Sequence, residues 1–312
     1  MFDIITVGEI LIDLTQSGKN ENGIPVYTAN PGGAPANLAV AASRLGAKTA
    51  FIGKIGHDSF GDLLRATLSA DNVDDSGLVT DPKEMTTLAV VSLDIRGERS
   101  FAFYRDPSAD VNLRIEDIDE EMLAKTKILH FGSVNLTAEP SRSATLYAAR
   151  KAKEAGAIIS YDPNYRDRLW SEQGRAIAQM KEPLPMVDIL KISDEELPLL
   201  TGSNDPLEGS RILQKQYGIK LIFVTLGGDG ALFRYGDLTG QLPVPPIVVG
   251  DTNGAGDTFF GAALSKICRL PSLDGLDEET LRSITAFANK AASITTSRHG
   301  AIPAMPRLSE ME

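Results

Sequence analysis

Apolar residues along the chain follow two alternating rhythms. Short apolar runs at Phe2 to Val7, Thr49 to Ile52, Lys127 to Phe131, Ala157 to Tyr161, Val187 to Lys191 and Leu221 to Thr225 read as strands. Longer stretches with helical spacing separate them: Pro35 to Leu45, Ser59 to Ala70, Ser141 to Ala155, Pro206 to Tyr217, Ala255 to Leu270 and Glu278 to Ser297. Pro35 suits a first helical turn, and Gly46 suits the residue after the last one. Repeated strand–helix alternation predicts an α/β fold: a mainly parallel sheet covered by helices on both faces. Such sheets bind ligands at the carboxyl ends of their strands.

Two segments break the rhythm. Residues 10 to 30 hold Ile10-Leu11-Ile12-Asp13-Leu14 and then a polar, glycine-bearing stretch. Residues 86 to 104 hold Leu88 to Ile95 and Ser100 to Tyr104, joined through Arg96-Gly97-Glu98, and read as a β-hairpin. Neither segment fits a helical crossover. Together they predict a small β-sheet projecting from the main body, suited to a lid or a dimer surface, or to a plain edge hairpin.

Charge narrows the partners. Lys plus Arg is 31, Asp plus Glu is 42, and the net charge is -11. That balance argues against nucleic acid or an anionic membrane as the main partner. The single cysteine, Cys268, excludes an internal disulfide framework and points to a reducing, cytoplasmic compartment. It lies in an apolar helical run and reads as core. The N-terminus lacks the basic region of a signal peptide, and no apolar stretch approaches the roughly 18 residues that span a bilayer.

The densest chemistry lies in Asp251-Thr252-Asn253-Gly254-Ala255-Gly256-Asp257. It follows the apolar run Val244 to Val249 and precedes the helical run from Thr258, so its order reads as strand, glycine turn, helix. Backbone N–H groups of Gly254, Ala255 and Gly256 at a helix N-terminus suit an anion. Asp257 adds a carboxylate beside that anion pocket. A carboxylate repels phosphate but can take a proton from a hydroxyl that attacks a phosphoryl group. The same run also suits a glycine turn in which Asp257 only helps the helix start.

Asn30-Pro31-Gly32-Gly33-Ala34-Pro35-Ala36-Asn37 is a tight turn entering a helix. Gly32 and Gly33 let a ligand approach the backbone. The amide of Asn37 both donates and accepts, as a sugar hydroxyl does. Asp13 ends an apolar run and suits two neighbouring hydroxyls, or a turn. Arg105 and Arg166 each lie just past an extended run, where they suit a polar substrate or a surface ion pair. Leu226-Gly227-Gly228-Asp229-Gly230 follows a strand and suits a nucleotide phosphate or ribose. Ser193-Asp194-Glu195-Glu196 opens a short helix and suits its dipole, or a magnesium ion held through water. No P-loop, dinucleotide fingerprint, nucleophile elbow or Cys/His metal spacing occurs.

Taken together, Gly32 to Asn37, Gly53-Lys54-Ile55-Gly56-His57-Asp58 and Asp251 to Asp257 resemble the signatures of the ribokinase-like (PfkB) carbohydrate kinases, in order and over nearly the whole chain. Phe103 to Asp110, Tyr161 to Arg166 with Leu169-Trp170, Lys191 to Glu196 and Gly300 to Ala304 resemble the fructose-phosphorylating members. The resemblance implies one α/β/α domain over residues 1–312, with a β-sheet lid from about 10–30 and 86–110. It implies an ATP-dependent sugar kinase acting on fructose, or else on ribose, 2-keto-3-deoxygluconate or a riboside, with a catalytically silent sugar-binding protein on the same fold as the remaining alternative. Asp257 is then the catalytic base, and the Gly254, Ala255 and Gly256 amides form the anion hole. Asp13, Gly32, Gly33 and Asn37 hold the sugar, with Arg105 and Arg166 closing on it. ATP lies near Thr225, Gly227 and Gly230, with Asn289 on the C-terminal helix beside it. Glu196 is linked to Mg²⁺ through water, Asp251 to a possible K⁺ site, and the lid to a homodimer. Asn253 and Ser193 depart from the family's usual Thr and Asn.

Overall fold

The computed structural model describes residues 1–93 and 99–311, so the expected joint Arg96-Gly97-Glu98 lies outside the described residues. The main sheet is built from β1 (Phe2–Val7), β4 (Thr49–Gly56), β5 (Asp74–Asp81), β8 (Thr126–Gly132), β9 (Ile158–Asp162), β10 (Ile189–Ser193), β11 (Leu221–Thr225), β12 (Ala231–Tyr235) and β13 (Leu238–Leu242). It has nine strands in the order β13-β12-β11-β10-β9-β8-β1-β4-β5. From β5 to β11 all neighbours run parallel, and β12 and β13 close the other edge antiparallel. A second sheet of four strands has the order β3-β2-β6-β7, from β2 (Leu11–Lys19), β3 (Pro25–Gly32), β6 (Leu88–Leu93) and β7 (Arg99–Tyr104).

Side-chain alternation along the parallel strands sends successive residues to opposite faces. Ile5, Leu129, Ile159, Leu190 and Ile222 pack on one face against α3 (Glu120–Leu123), α4 (Ser141–Glu154), α5 (Gln173–Lys181), α6 (Leu197–Thr201) and α7 (Pro206–Tyr217). Ile4, Ile128, Ile189, Leu221 and Phe223 pack on the other against α1 (Ala34–Arg44), α8 (Ala255–Ile267) and α9 (Glu278–Thr296). α2 (Ser59–Ala70) covers the β4/β5 edge, in a cluster with Ile10 and Ile12 at the root of the second sheet. Cys268 is buried in the core, and no helix among the described residues is long and apolar enough to cross a membrane.

The run Val244 to Val249 is not a strand. It is irregular, and Val248 and Val249 are largely exposed. Pro243, Pro245 and Pro246 remove the ladder donors that a strand needs. Likewise Ser193 ends β10, and Asp194 to Glu196 form the turn ahead of α6 rather than its first residues.

Candidate active site

The site lies at the carboxyl ends of β1, β9, β10 and β11, where the loops meet the first turn of α8. Gly254 opens that helix in a left-handed conformation with φ 73°, and a Cβ there would lie 2.9 Å from the Ala301 Cβ. The turn therefore needs glycine. No side chain caps the helix. Ala255 N–H turns inward to the Thr252 carbonyl at 3.3 Å, whereas the Gly254, Gly256 and Asp257 N–H groups show no protein acceptor among the described residues.

α1 and α8 approach closely at Gly261, where a Cβ would lie 2.9 Å from both the Ala41 Cβ and the Leu38 carbonyl oxygen. Gly261 is one turn beyond Asp257, and Ala41 one turn beyond Asn37. That crossing brings the Asn37 Nδ2 within 2.9 Å of Asp257 Oδ2, to which it donates. Asn164 Nδ2, from the loop after β9, donates to Asp257 Oδ1 at 3.3 Å. Burial raises the Asp257 pKa, opposed by the hydrogen bond from Asn37, the charges of Lys191 and Arg166, and the hydrogen bond from Asn164.

The first turn of α8 separates two clefts. The larger, about 580 Å³, is lined by Glu9, Asp13, Gly33, Asn37, Arg105, Arg166, Gly254 and Asp257, with Val91 and Phe103 from the second sheet. Asp13 on β2 is half-buried, and its carboxyl is pushed up to about 6 by burial, against the pull of Arg166. Gly33 has φ 106°, and a Cβ would collide with the Glu9 carbonyl oxygen at 2.5 Å. A Cβ on Gly32 would lie 2.5 Å from Asp13 Oδ2. The buried Oδ1 of Asn37 has no protein partner among the described residues. Arg166 is exposed, with Nη1 on the carbonyls of Asn164 and Tyr165 in its own loop. Arg105 is buried and tied: Nε to Asp110 at 2.7 Å, Nη1 to Thr137 at 2.6 Å and Nη2 to the Val134 carbonyl at 3.1 Å.

The smaller cleft, about 400 Å³, is lined by Thr225, Gly227, Gly228, Gly230, Gly256 and Asn289, with Val244, Ile247, Val249, Phe259 and Ala292. Gly230 has φ 91°, and its missing Cβ makes room for the Leu242 carbonyl. Asn289 Nδ2 donates to the Leu242 and Pro243 carbonyls and so holds the irregular segment against α9.

Two expected metal contacts fall outside this wall. Glu196 Oε1 accepts Tyr165 N–H, and Oε2 accepts Ser193 N–H and Oγ–H. Its neighbour Glu195 is exposed on the rim of both clefts. Asp251 accepts from Asn253 N–H at 3.1 Å and Gly300 N–H at 3.2 Å. Among the described residues no group of three or more His, Cys, Asp or Glu side chains is arranged to hold a metal ion.

Sequence reasoning missed three residues here. Asn164 sits in a stretch valued only for Arg166. Glu9 is buried beside an apolar run, accepts Ala34 N–H at 3.0 Å and is pushed up to about 7 by burial. Lys191, read as a strand residue, pairs with Asp162 at 3.0 Å, and its Nζ lies 3.1 Å from the place of a Cβ on Gly256. A polar residue at the end of a buried strand was the available signal in the last two cases.

A sugar-sized polar cleft holding a buried carboxylate and a glycine-edged apolar cleft, on either side of one helix N-terminus, fit a phosphoryl-transfer enzyme of the α/β class. The comparisons agree: residues 1–308 match the pfkB family carbohydrate kinase, and the chain belongs to that family. It is 42% identical over 311 residues to fructokinase-1 of Zea mays, covering 99% of this chain and 96% of that protein. The fold superposes on a crystal structure of fructokinase with bound ATP from Xylella fastidiosa with a TM-score of 0.92 at 33% identity, covering 100% of this chain and 97% of the other. A fructokinase from Vibrio cholerae O395, solved with fructose, ADP and calcium ion, gives 0.89 at 35% identity, covering 99% and 98%.

Proposed function

We propose that the protein is an ATP-dependent fructokinase that transfers the γ-phosphoryl group of ATP to the 6-hydroxyl of D-fructose. The observation that carries this reading is the place of Asp257: buried in the wall of the larger cleft, on the helix turn whose Gly256 lines the smaller one, with an amide on each carboxylate oxygen. Likeness to fructokinases over the full chain supports fructose over ribose, 2-keto-3-deoxygluconate or a riboside.

In this reading the larger cleft takes the sugar. Asp13 accepts hydrogen bonds from two hydroxyls, Gly32 and Gly33 allow close approach, and the free Oδ1 of Asn37 accepts another. Arg166, exposed and bonded to the Asn164 and Tyr165 carbonyls of its own loop, closes over the sugar. Arg105, tied on three sides, serves as a rigid wall. The smaller cleft takes ATP, with the adenine on the apolar side near Ala292 and the phosphates toward Gly227 and Gly256.

The reaction is one in-line displacement. Asp257 takes the proton of the 6-hydroxyl as its oxygen bonds to the γ-phosphorus. The bond from that phosphorus to the bridging oxygen breaks, and ADP leaves with the electron pair. The Gly254 and Gly256 amides face the charge spreading over the transferring oxygens, with Ala255 N–H joining them only if its 3.3 Å bond to Thr252 is released. Among the described residues no carboxylate cage is present, and a magnesium ion would be held chiefly by the nucleotide phosphates and water. A magnesium ion there would neutralise phosphate charge, and Glu196, whose oxygens accept from Tyr165 and Ser193, would reach it only through water. Asp251, beside Gly300 N–H, is the carboxylate offered to a K⁺ ion.

The four-stranded sheet works as the lid, since it carries Asp13 and ends at Arg105. Its β3 edge exposes Val26 and Tyr27, which supports a homodimer through this sheet. The single buried cysteine supports a cytoplasmic setting. ADP release from MgATP with fructose, ribose, glucose, 2-keto-3-deoxygluconate and a riboside, each against a sugar-free control, tests the reading. Fructose should dominate. Preference for another sugar replaces the acceptor, and no turnover with any sugar overturns the kinase reading.

A further inference from the structure

We propose that Asn164 is a positioning residue for the proton transfer, holding the carboxylate of Asp257 in the plane in which it meets the acceptor hydroxyl. The proposal rests on the kinase reading above, and its test is built so that the two can fail separately.

Asn164 is one of two residues other than glycine with positive φ among those described, at 46°. Asparagine tolerates that left-handed conformation better than most residues. The turn folds its side chain back under α8. The loop is fixed at several points. Asn164 N–H donates to Asp162 Oδ1 at 3.2 Å, Pro163 accepts from Ser133 N–H at 3.2 Å, and Tyr165 N–H donates to Glu196. Lys191 holds Asp162 from β10. A side chain on so fixed a loop has a defined direction.

Asn37 reaches Oδ2 from α1, and Asn164 reaches Oδ1 from the loop after β9. Two donors on two oxygens fix a carboxylate against rotation about its Cβ–Cγ bond. One donor would leave it free to turn. Both donors are neutral amides. They favour the ionised base without the larger loss of basicity that a bonded cation would bring. The contact at 3.3 Å is the longer of the two and has room to shorten as the sugar binds.

Charged groups also face Asp257: Lys191 from β10, Arg166 from the same loop, Asp162 from β9 and Asp13 from the second sheet. All remain in a variant at position 164. Asp257 works when ionised, so activity is present above its pKa and lost as pH falls through it. Removing a donor raises that pKa, and the acid limb moves to higher pH.

The variants are Asn164→Gly and Asn164→Asp. Glycine keeps the positive φ and removes the donor. Aspartate keeps the size and turns the donor into an acceptor. In Asn164→Gly, kcat should fall about ten- to a hundredfold, the span for one hydrogen bond to a charged group, while KM for MgATP changes by less than about twofold. Asn164→Asp should fall further.

The second readout needs no turnover. The carboxyl resonance of Asp257, assigned by its absence in Asp257→Asn, should titrate at higher pH in Asn164→Gly. A raised titration with lowered kcat supports the proposal, and a raised titration supports it even if no sugar is turned over. An unmoved titration overturns it, whatever happens to kcat, and leaves Asn164 as a residue that only shapes its loop.

Discussion

The two clefts on either side of the α8 terminus are built from different materials. The acceptor cleft is made of charged and amide side chains gathered from distant segments: Asp13, Asn37, Arg166 and Asp257. The nucleotide cleft is made of glycine backbone and apolar side chains, with Val244, Ile247, Val249 and Ala292 along one wall. A sugar offers hydroxyls whose directions must be matched, so side chains with fixed geometry suit it. A purine and a phosphate chain ask for a slot and exposed amides, which backbone supplies. With the proposed placing of sugar and nucleotide, specificity is concentrated on one side of the helix, and bulk shape on the other.

The sharpest way to break this contrast is Asp257→Asn. Turnover should fall by about a thousandfold or more, the upper part of the range for a lost general base, while MgATP affinity measured by calorimetry stays within a few-fold. An equal loss of nucleotide binding would show that the clefts are not separable. Next, Asp13→Asn should raise KM for the sugar by roughly ten- to a hundredfold, about the value of hydrogen bonds to a charged group, and leave KM for MgATP unchanged. Because Asp13 is held at about 6, sugar affinity in the parent should weaken as pH drops through that value, and the variant should lose this dependence.

On the other side, Ala292→Phe should fill the apolar wall and raise KM for MgATP by about tenfold, the cost of overpacking by roughly 1–2 kcal/mol. Sugar KM should not move, and a matching rise would join the two clefts into one. The smallest effect belongs to Glu9→Gln. Burial pushes the Glu9 carboxyl up from its ordinary 4.5 to about 7 in the folded chain. Its stabilising contribution is fully present below about 4.5 and is lost as pH rises through about 7. Glutamine retains the acceptor for Ala34 N–H and removes the buried charge. Denaturation should show a gain of roughly 1 kcal/mol at pH 8 and none at pH 4, and a loss at pH 8 would mean that the charge is used.

The fold was largely legible from periodicity. Phe2–Val7, Leu221–Thr225, Ser59–Ala70 and Pro206–Tyr217 fall where the apolar pattern put them. Residues 244–249 did not, because apolar composition spoke for a strand while three prolines spoke against it. The edge pair β12 and β13 was passed over as well: β13 is short, only partly buried and carries a glycine, so it lacks a strong alternation. In the site, Asp13, Asn37, Arg166, Asp257 and the glycine turns were singled out from the sequence, while Glu9, Lys191 and, least visibly, Asn164 were not. Its role depends on a positive φ and on a contact across 93 positions, neither of which leaves a local pattern. Arg105 was found, but its three ties could not be, since Asp110, Thr137 and Val134 become its neighbours only in the folded chain.

The crossing of α1 and α8 at Gly261 acts as a gauge. Two backbones that meet without a side chain between them have one spacing, set by atoms that belong to no substrate. A drifting lineage could exchange the residues that greet the sugar, or reshape the purine slot, without retuning the reach between Asn37 and Asp257. A chain of this kind can change customers while keeping its tool, and a designer who wants a new acceptor should leave that glycine alone and work outward from it.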